Sequence, residues 1–263
     1  IAGITTFSAT SGMLMPSGNN AHRYVDANLV TDGLILQYDF SNQNSYPGSG
    51  NIVYDIVGGH NGTLYNNPGY STNNGGYLDL SGSNDYIQVP NGKILNWSKP
   101  HSVEFWVYPL GTGGAQNIFE ADYNNNIRIQ FDQNDYENKG RVEIWAESDS
   151  IGGDSNRVYN RWFVEKQWHH LVFTRTDTLG TVYVDGKLDD GTARSYISNE
   201  RQNSTITAPP ALNYTGNTYI GRFIGDATTE NFDGYIALFS LYQKALSRDE
   251  VLQNYNALKG RYI

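Results

Sequence analysis

The sequence predicts an all-β domain, a sandwich of two antiparallel sheets with one short C-terminal helix. Three observations carry this expectation. Apolar residues recur with a period of two along roughly ten short segments, as half-buried strands require. Those segments are separated by clusters of Gly, Asn, Asp and Ser, the residues that turns use. The aromatic content is dominated by tyrosine, with 20 Tyr against 10 Phe and 5 Trp. Tyrosine suits a half-buried sheet, where its ring packs and its hydroxyl stays wet, and it also suits contact surfaces for sugars or neighbouring subunits.

Taken in order, Leu34-Ile35-Leu36-Gln37-Tyr38-Asp39-Phe40 opens the pattern as a strand with an almost continuous apolar run. A Gly/Asn-rich stretch follows, then Ile52 to Asp55. Leu78/Leu80 and Ile87/Val89 alternate on either side of Ser81-Gly82-Ser83-Asn84. Val103/Phe105/Val107 form a longer strand, and Ile127/Ile129/Phe131 alternate with Arg128 and Gln130. Val142/Ile144/Ala146 repeat that pattern. His169–Thr174 and Thr181–Val184 follow, the second ending at Asp185-Gly186, a dipeptide that tolerates positive φ and predicts a tight hairpin turn. Thr218–Gly221 and Tyr235–Tyr242 are the last strands, the latter apolar on both faces and so expected to be covered on both sides. No fixed-period repeat is present, which disfavours propellers and solenoids.

Ser247-Arg248-Asp249-Glu250 is a capping box. Val251, Leu252, Tyr255 and Leu258 mark one face of the helix that it starts, and Gly260 is expected to end that helix after Lys259. Residues 1–31 read differently from the rest. Short apolar pieces (Ile4, Phe7, Met13, Leu14, Met15) are broken by Gly, Ser and Thr, with Pro16 to Asn20 as a loop. The organisation expected is an N-terminal attachment or docking arm at 1–31 and a sandwich domain at 32–263.

Bulk composition removes several function classes. Lys plus Arg number 18 and Asp plus Glu 27, a net charge of −9. Such a surface repels phosphate backbones and anionic membranes, so neither nucleic acid nor membrane is an expected partner. There is no cysteine, which excludes a disulfide scaffold and Cys-ligated zinc. No apolar run approaches the length of a membrane span.

Three segments, in order, resemble the laminin-G-like (pentraxin-like) group of the concanavalin A-like lectin/glucanase superfamily. The first is Gly33 to Phe40 with Tyr54-Asp-Ile-Val-Gly-Gly-His-Asn-Gly-Thr-Leu64. The second is Trp168-His-His-Leu-Val-Phe-Thr174 with Val182-Tyr-Val-Asp-Gly-Lys187. The third is Tyr219 to Arg222, then Phe232 to Tyr242 and the capped helix. The resemblance spans roughly residues 33–260 and implies a jelly-roll sandwich. Ser45 to Gly50 and Ala245 to Tyr262 are further similar to laminin-G-like domains of tailed-phage structural proteins, and Gly3 to Ser8 is similar to the repetitive collars of phage appendages. That narrower resemblance implies a non-catalytic structural protein of a phage particle, a capsid decoration or appendage subunit on the virion surface. Its partners would be other virion subunits, in a homo-oligomer or on the particle. The alternative is a carbohydrate-binding adhesion or lectin module, secreted or on a cell surface, recognising surface glycans.

Because glycosidases share this fold, the chemistry-bearing residues need weighing. A retaining glucanase of the superfamily would place carboxylates on alternate residues of one strand. Glu143, Glu147 and Asp149 share one parity, but Trp145 stands where an assisting Asp would be needed, and the expectation is no enzyme. His169 and His170 are adjacent in a strand and point to opposite faces, so they cannot chelate together. The one cofactor that the resemblance implies is a structural Ca²⁺, held by oxygens of Asp55, the loop ending at Asn61, and Asp233. The sequence departs from the related pattern at Ala237, where an acidic ligand is usual. The other reading is that Asp55 and Asn61 cap turns.

Overall fold

The computed structural model describes residues 13–15, 23–25, 28–81, 84–90, 94–96, 99–111, 114–121, 127–133, 139–146, 157–159, 163–176, 180–188, 216–224 and 230–263. Among these, two antiparallel sheets face each other as a jelly-roll sandwich. The first sheet runs, edge to edge, through Lys187–Leu188, Gly180–Val184, His169–Arg175, His101–Pro109, Asp233–Tyr242, Tyr77–Ser81 and Gly69–Ser71. Leu34–Asp39 pairs with the second half of Asp233–Tyr242. The second sheet runs through Arg157–Tyr159, Lys139–Ala146, Ile127–Gln133, Gly114–Ala121, Thr218–Ile220, Tyr86–Val89, Gly62–Tyr65 and Ile52–Val53, with Phe163–Val164 pairing beside Lys139–Ala146.

The period-two pattern places the core between the sheets. Phe105 and Phe239 stand opposite each other in the first sheet, with ring centroids 4.9 Å apart. Phe119 of the second sheet meets them at 6.3 and 5.7 Å. Leu78 and Leu80 face this core from the first sheet, Ile87 and Val89 from the second, so these successive strands belong to different sheets and do not form a hairpin. Asp185 and Gly186 take φ of 53° and 71° in the turn between paired Val184 and Lys187, the positive-φ hairpin that the dipeptide predicts.

A second apolar cluster covers the outer face of the first sheet. Trp106, Val172, Leu238 and Tyr242 are buried there beneath Val251, Leu258 and Tyr262 of the helix. This cover explains why the central strands are apolar on both faces. Ser247 caps the helix reciprocally with Glu250. Two details differ from the sequence expectation. Helical structure spans Arg248–Tyr262 and passes through Gly260. A glycine inside a helix costs about 1 kcal/mol, but Tyr262 packs against Trp106 at 4.6 Å and Trp168 at 5.1 Å, and that burial holds the last turn. The inner face is Val251, Asn254, Leu258 and Tyr262, while Leu252 is 41% exposed.

Among the described residues, Met13–Met15 and Arg23–Val25 pair antiparallel with each other and join neither sandwich sheet. Leu29 and Val30, also within the expected arm, are buried against the helix. Val30 N donates to Asn254 Oδ1 at 2.8 Å, and Gln253 Nε2 donates to the Asn28 carbonyl at 3.0 Å. Among the described residues no helix is long and apolar enough to cross a membrane.

Candidate functional site

The residues expected to hold calcium do not all come together. Asp55 is fully buried, and its carboxylate accepts four backbone N–H groups. Gln37 and Val57 donate to Oδ1 at 3.0 and 2.9 Å; Gly58 and His60 donate to Oδ2, both at 2.9 Å. Asn61 Oδ1 accepts from the Asp55 N–H at 3.0 Å. This is turn capping, with the oxygens already engaged. Asp233 lies opposite Ser81, whereas Gln37 pairs with Ser240, seven residues further along the same strand and roughly 20 Å away. Asp55 and Asn61 therefore meet, and Asp233 stands apart. Among the described residues no three His, Asp or Glu groups cluster as metal ligands would.

The histidines diverge as strand geometry requires. His169 Nδ1 lies 3.0 Å from Asp185 Oδ2, and His170 Nε2–H donates to Glu104 Oε1 at 2.7 Å, fully buried. Burial lowers the pKa of His101 to about 3, so the ring is neutral and its Nδ1–H donates to the Lys99 carbonyl at 2.8 Å. Glu143 stands opposite Gln130 and Tyr159 in the second sheet. Glu147 and Asp149 lie outside the described residues.

A cavity of about 400 Å³ opens instead on the outer face of the first sheet, lined by Asn73, Asn74, Tyr77, Tyr108, Trp168 and Tyr235. Period-two geometry puts the tyrosines there. Leu78, Val107 and Ile236 point into the core, so Tyr77, Tyr108 and Tyr235 point outward on three strands that the sheet makes neighbours. Tyr235 is stacked on Tyr77 at 4.5 Å and on Tyr108 at 5.2 Å. Trp168 closes the group edge-on, 5.6 Å from Tyr77 and 5.5 Å from Tyr108. Trp168 is 5% exposed, and its indole N–H is buried without a hydrogen-bond partner. The tyrosines are half-buried, and Asn73 and Asn74 are exposed at the rim on a short 3₁₀ turn. Asn74 takes the left-handed conformation (φ 49°) that Asn tolerates better than most residues.

Burial raises the pKa of Tyr235, and the charges of Asp79 and Asp233 and the rings of Tyr77 and Tyr108 raise it further. The pocket thus combines aromatic faces, amides at the rim and a negative local field. The sequence signal for it was the surplus of tyrosine; its location was hidden, because positions 77, 108 and 235 meet only through sheet order.

Residues 81–252 match a laminin-G family profile described as the concanavalin A-like lectin/glucanases superfamily. The chain belongs to this superfamily. No curated protein sequence matches it significantly. Among solved structures, this concanavalin A-like chain is similar to domain 4 of AbnA, a GH43 extracellular arabinanase from Geobacillus stearothermophilus, in complex with arabinotriose. That likeness has a TM-score of 0.57 at 20% identity, over 85% of this chain and 100% of the domain. A mutant of Trypanosoma rangeli sialidase displaying trans-sialidase activity matches with a TM-score of 0.61 at 15% identity, over 88% of this chain and 34% of the sialidase. The chain therefore spans about a third of the sialidases' length. The binding domain of Botulinum neurotoxin DC, in complex with rat synaptotagmin II, matches with a TM-score of 0.58 at 14% identity, over 86% of this chain and 52% of that one. At these identities the likeness concerns the fold.

Proposed function

We propose that this chain is a carbohydrate-binding sandwich that holds a neutral sugar in the Trp168 pocket without hydrolysing it. One observation carries this reading: the Tyr77–Tyr235–Tyr108 stack ends at a buried indole, in a cavity rimmed by two exposed amides. Aromatic faces take the C–H face of a sugar ring, and a few polar groups set its orientation. Asp79 and Asp233 place negative charge beside Tyr235, which disfavours a carboxylate-bearing sugar there. The arabinanase domain solved with arabinotriose supports the ligand class. The pocket lining is Tyr, Trp and Asn, and the Glu104–His170 pair is sealed from solvent, which supports binding without hydrolysis. Calorimetric titration with neutral arabino- and gluco-oligosaccharides tests the proposal. Trp168→Ala is expected to weaken binding by about tenfold or more, the effect of losing one aromatic anchor. Unchanged affinity in that variant, or release of reducing ends by the wild type, overturns it.

A second reading concerns where the sandwich works. The similarity of Ala245 to Tyr262 to phage structural domains, and the separate strand pair Met13–Met15 and Arg23–Val25, support display on a virion surface among other virion subunits or further copies of this chain. Such a strand pair adds main-chain hydrogen bonds to a neighbour's sheet edge. A secreted or cell-surface adhesin is the alternative location.

A further inference from the structure

We infer that the outer face of the second sheet carries a separate site for a carboxylate-bearing sugar, read by Arg222. The site is independent of the Trp168 pocket and lies on the other sheet. Leu64, Ile87 and Ile220 fill the core, so Tyr65, Tyr86 and Tyr219 face outward from three adjacent strands. Tyr65 and Tyr86 are paired in register and stacked nearly parallel at 4.7 Å, with Tyr219 tilted 6.0 Å from Tyr86. The Arg222 guanidinium carbon lies 4.6 Å over the ring of Tyr86, itself stacked with Tyr65, and Tyr86 is 7% exposed.

The backbone holds this arginine in place. Its carbonyl accepts from Asn117 Nδ2 at 2.9 Å. The preceding Gly221, at φ 91°, donates its N–H to Ile118 and accepts from Phe232. Two residues on, Ile224 N donates to the buried Glu120 Oε2 at 2.7 Å. Arg222 nevertheless has no ion pair among the described residues, and its Nε is buried without a hydrogen-bond partner. Arg128 on the same sheet is satisfied differently, by Glu230 at 3.2 Å. The Arg222 side chain hydrogen-bonds the Tyr86 phenol. In a chain of net charge −9, a guanidinium set over a ring and with no carboxylate beside it among the described residues is suited to accept one, in the in-plane, two-pronged way of arginine.

The surroundings favour a sugar over a peptide. An extended acidic peptide docks by adding to a sheet edge. Tyr86–Val89 and Thr218–Ile220 are interior strands with both edges paired. What faces outward beside Arg222 is the phenols and the Gln88 amide, partners for hydroxyl groups.

The test titrates the full chain with trigalacturonate, with its methyl ester, and with a short glutamate peptide. The acid is expected to bind, and the ester to bind about tenfold more weakly or worse, the loss of one charge-assisted contact. Arg222→Gln should lose a similar factor and Arg222→Lys part of it, at unchanged melting temperature. Trp168→Ala should leave this binding intact while weakening neutral-sugar binding by about tenfold or more, so failure of one site is told apart from failure of the other. No binding of the acid, equal binding of acid and ester, or indifference to Arg222→Gln overturns the site. Equally tight glutamate peptide overturns its assignment to a sugar.

Discussion

Asn254 of the helix donates to both carboxylate oxygens of Glu104 in the sheet below, at 3.0 and 3.2 Å. The same amide nitrogen meets Tyr242 Oη at 3.0 Å, and Tyr242 in turn donates to Glu104 Oε2 at 3.1 Å. With His170 on Oε1, the buried carboxylate is bonded from three sides. Asn254→Ala removes one side and leaves a buried charge less satisfied. The expected cost is about 2–3 kcal/mol by urea unfolding. Asn254→Leu, which keeps the volume, should cost a similar amount; a negligible loss in both variants would mean that Glu104 does not depend on the helix.

Asp55 tests the turn-cap arrangement. Asp55→Ala leaves four N–H groups without their acceptor, an expected loss of about 3 kcal/mol or more. Millimolar calcium should leave the melting temperature of the wild type unchanged. A calcium-dependent rise that vanishes in Asp55→Ala would restore the metal reading.

Acid sensitivity should trace to His101. Its folded pKa, held near 3 by burial, lies below the ordinary imidazole value of 6.5. The unfolded state therefore binds the extra proton first. Stability from this group is complete above pH 6.5 and declines as pH falls towards 3, by up to about 1.4 kcal/mol per unit. His101→Phe should flatten that window in denaturation curves taken across it. At the other end, burial and the charge of Glu104 hold the Tyr242 pKa well above 10. Its contribution is present below pH 10 and is lost above it.

Gly260 lies inside the helix, and a Cβ there would meet nothing within 4 Å. Gly260→Ala should therefore stabilise the domain by about 0.5–1 kcal/mol in thermal or urea unfolding.

The proposed attachment arm can be tested by truncation at Asn28. A chain beginning at Asn28 keeps Leu29, Val30 and the Val30–Asn254 hydrogen bond. It should melt like the longer chain and, on the proposed attachment role, lose self-association, read by sedimentation. A chain beginning at Thr31 uncovers the helix and should melt lower. Unchanged assembly in the Asn28 chain would remove the attachment role.

Most strands were legible because buried and half-exposed residues alternate along them, as at Leu78 and Leu80 against Tyr77 and Asp79. The capping box was legible because its chemistry is local. What stayed hidden depended on long-range neighbours. Asn254 reads as a surface amide until Glu104 and Tyr242 come beneath it. Leu252 reads as core until the helix phase is fixed by Tyr262. The calcium reading placed Asp233 near Asp55 by family resemblance, and only strand register separates them. The Trp168 pocket and the Arg222 site both draw on residues far apart in sequence, so no local pattern marks either.

The position of Asp233–Tyr242 constrains how this chain is made. It lies in the middle of its sheet, beside Leu34–Asp39, Tyr77–Ser81 and His101–Pro109, and it carries the helix behind it. On the ribosome those earlier strands emerge well before the partner that joins them, with edges open and a Trp106 face uncovered. Closure of the sandwich must then follow synthesis of residues 233–262, a high-contact-order step that is slow and exposes sticky edges meanwhile. Chains terminated before Asp233 should therefore collect in aggregates, with no foldable fragment accumulating, and yield in a cell should respond to holding chaperones more than to codon choice upstream.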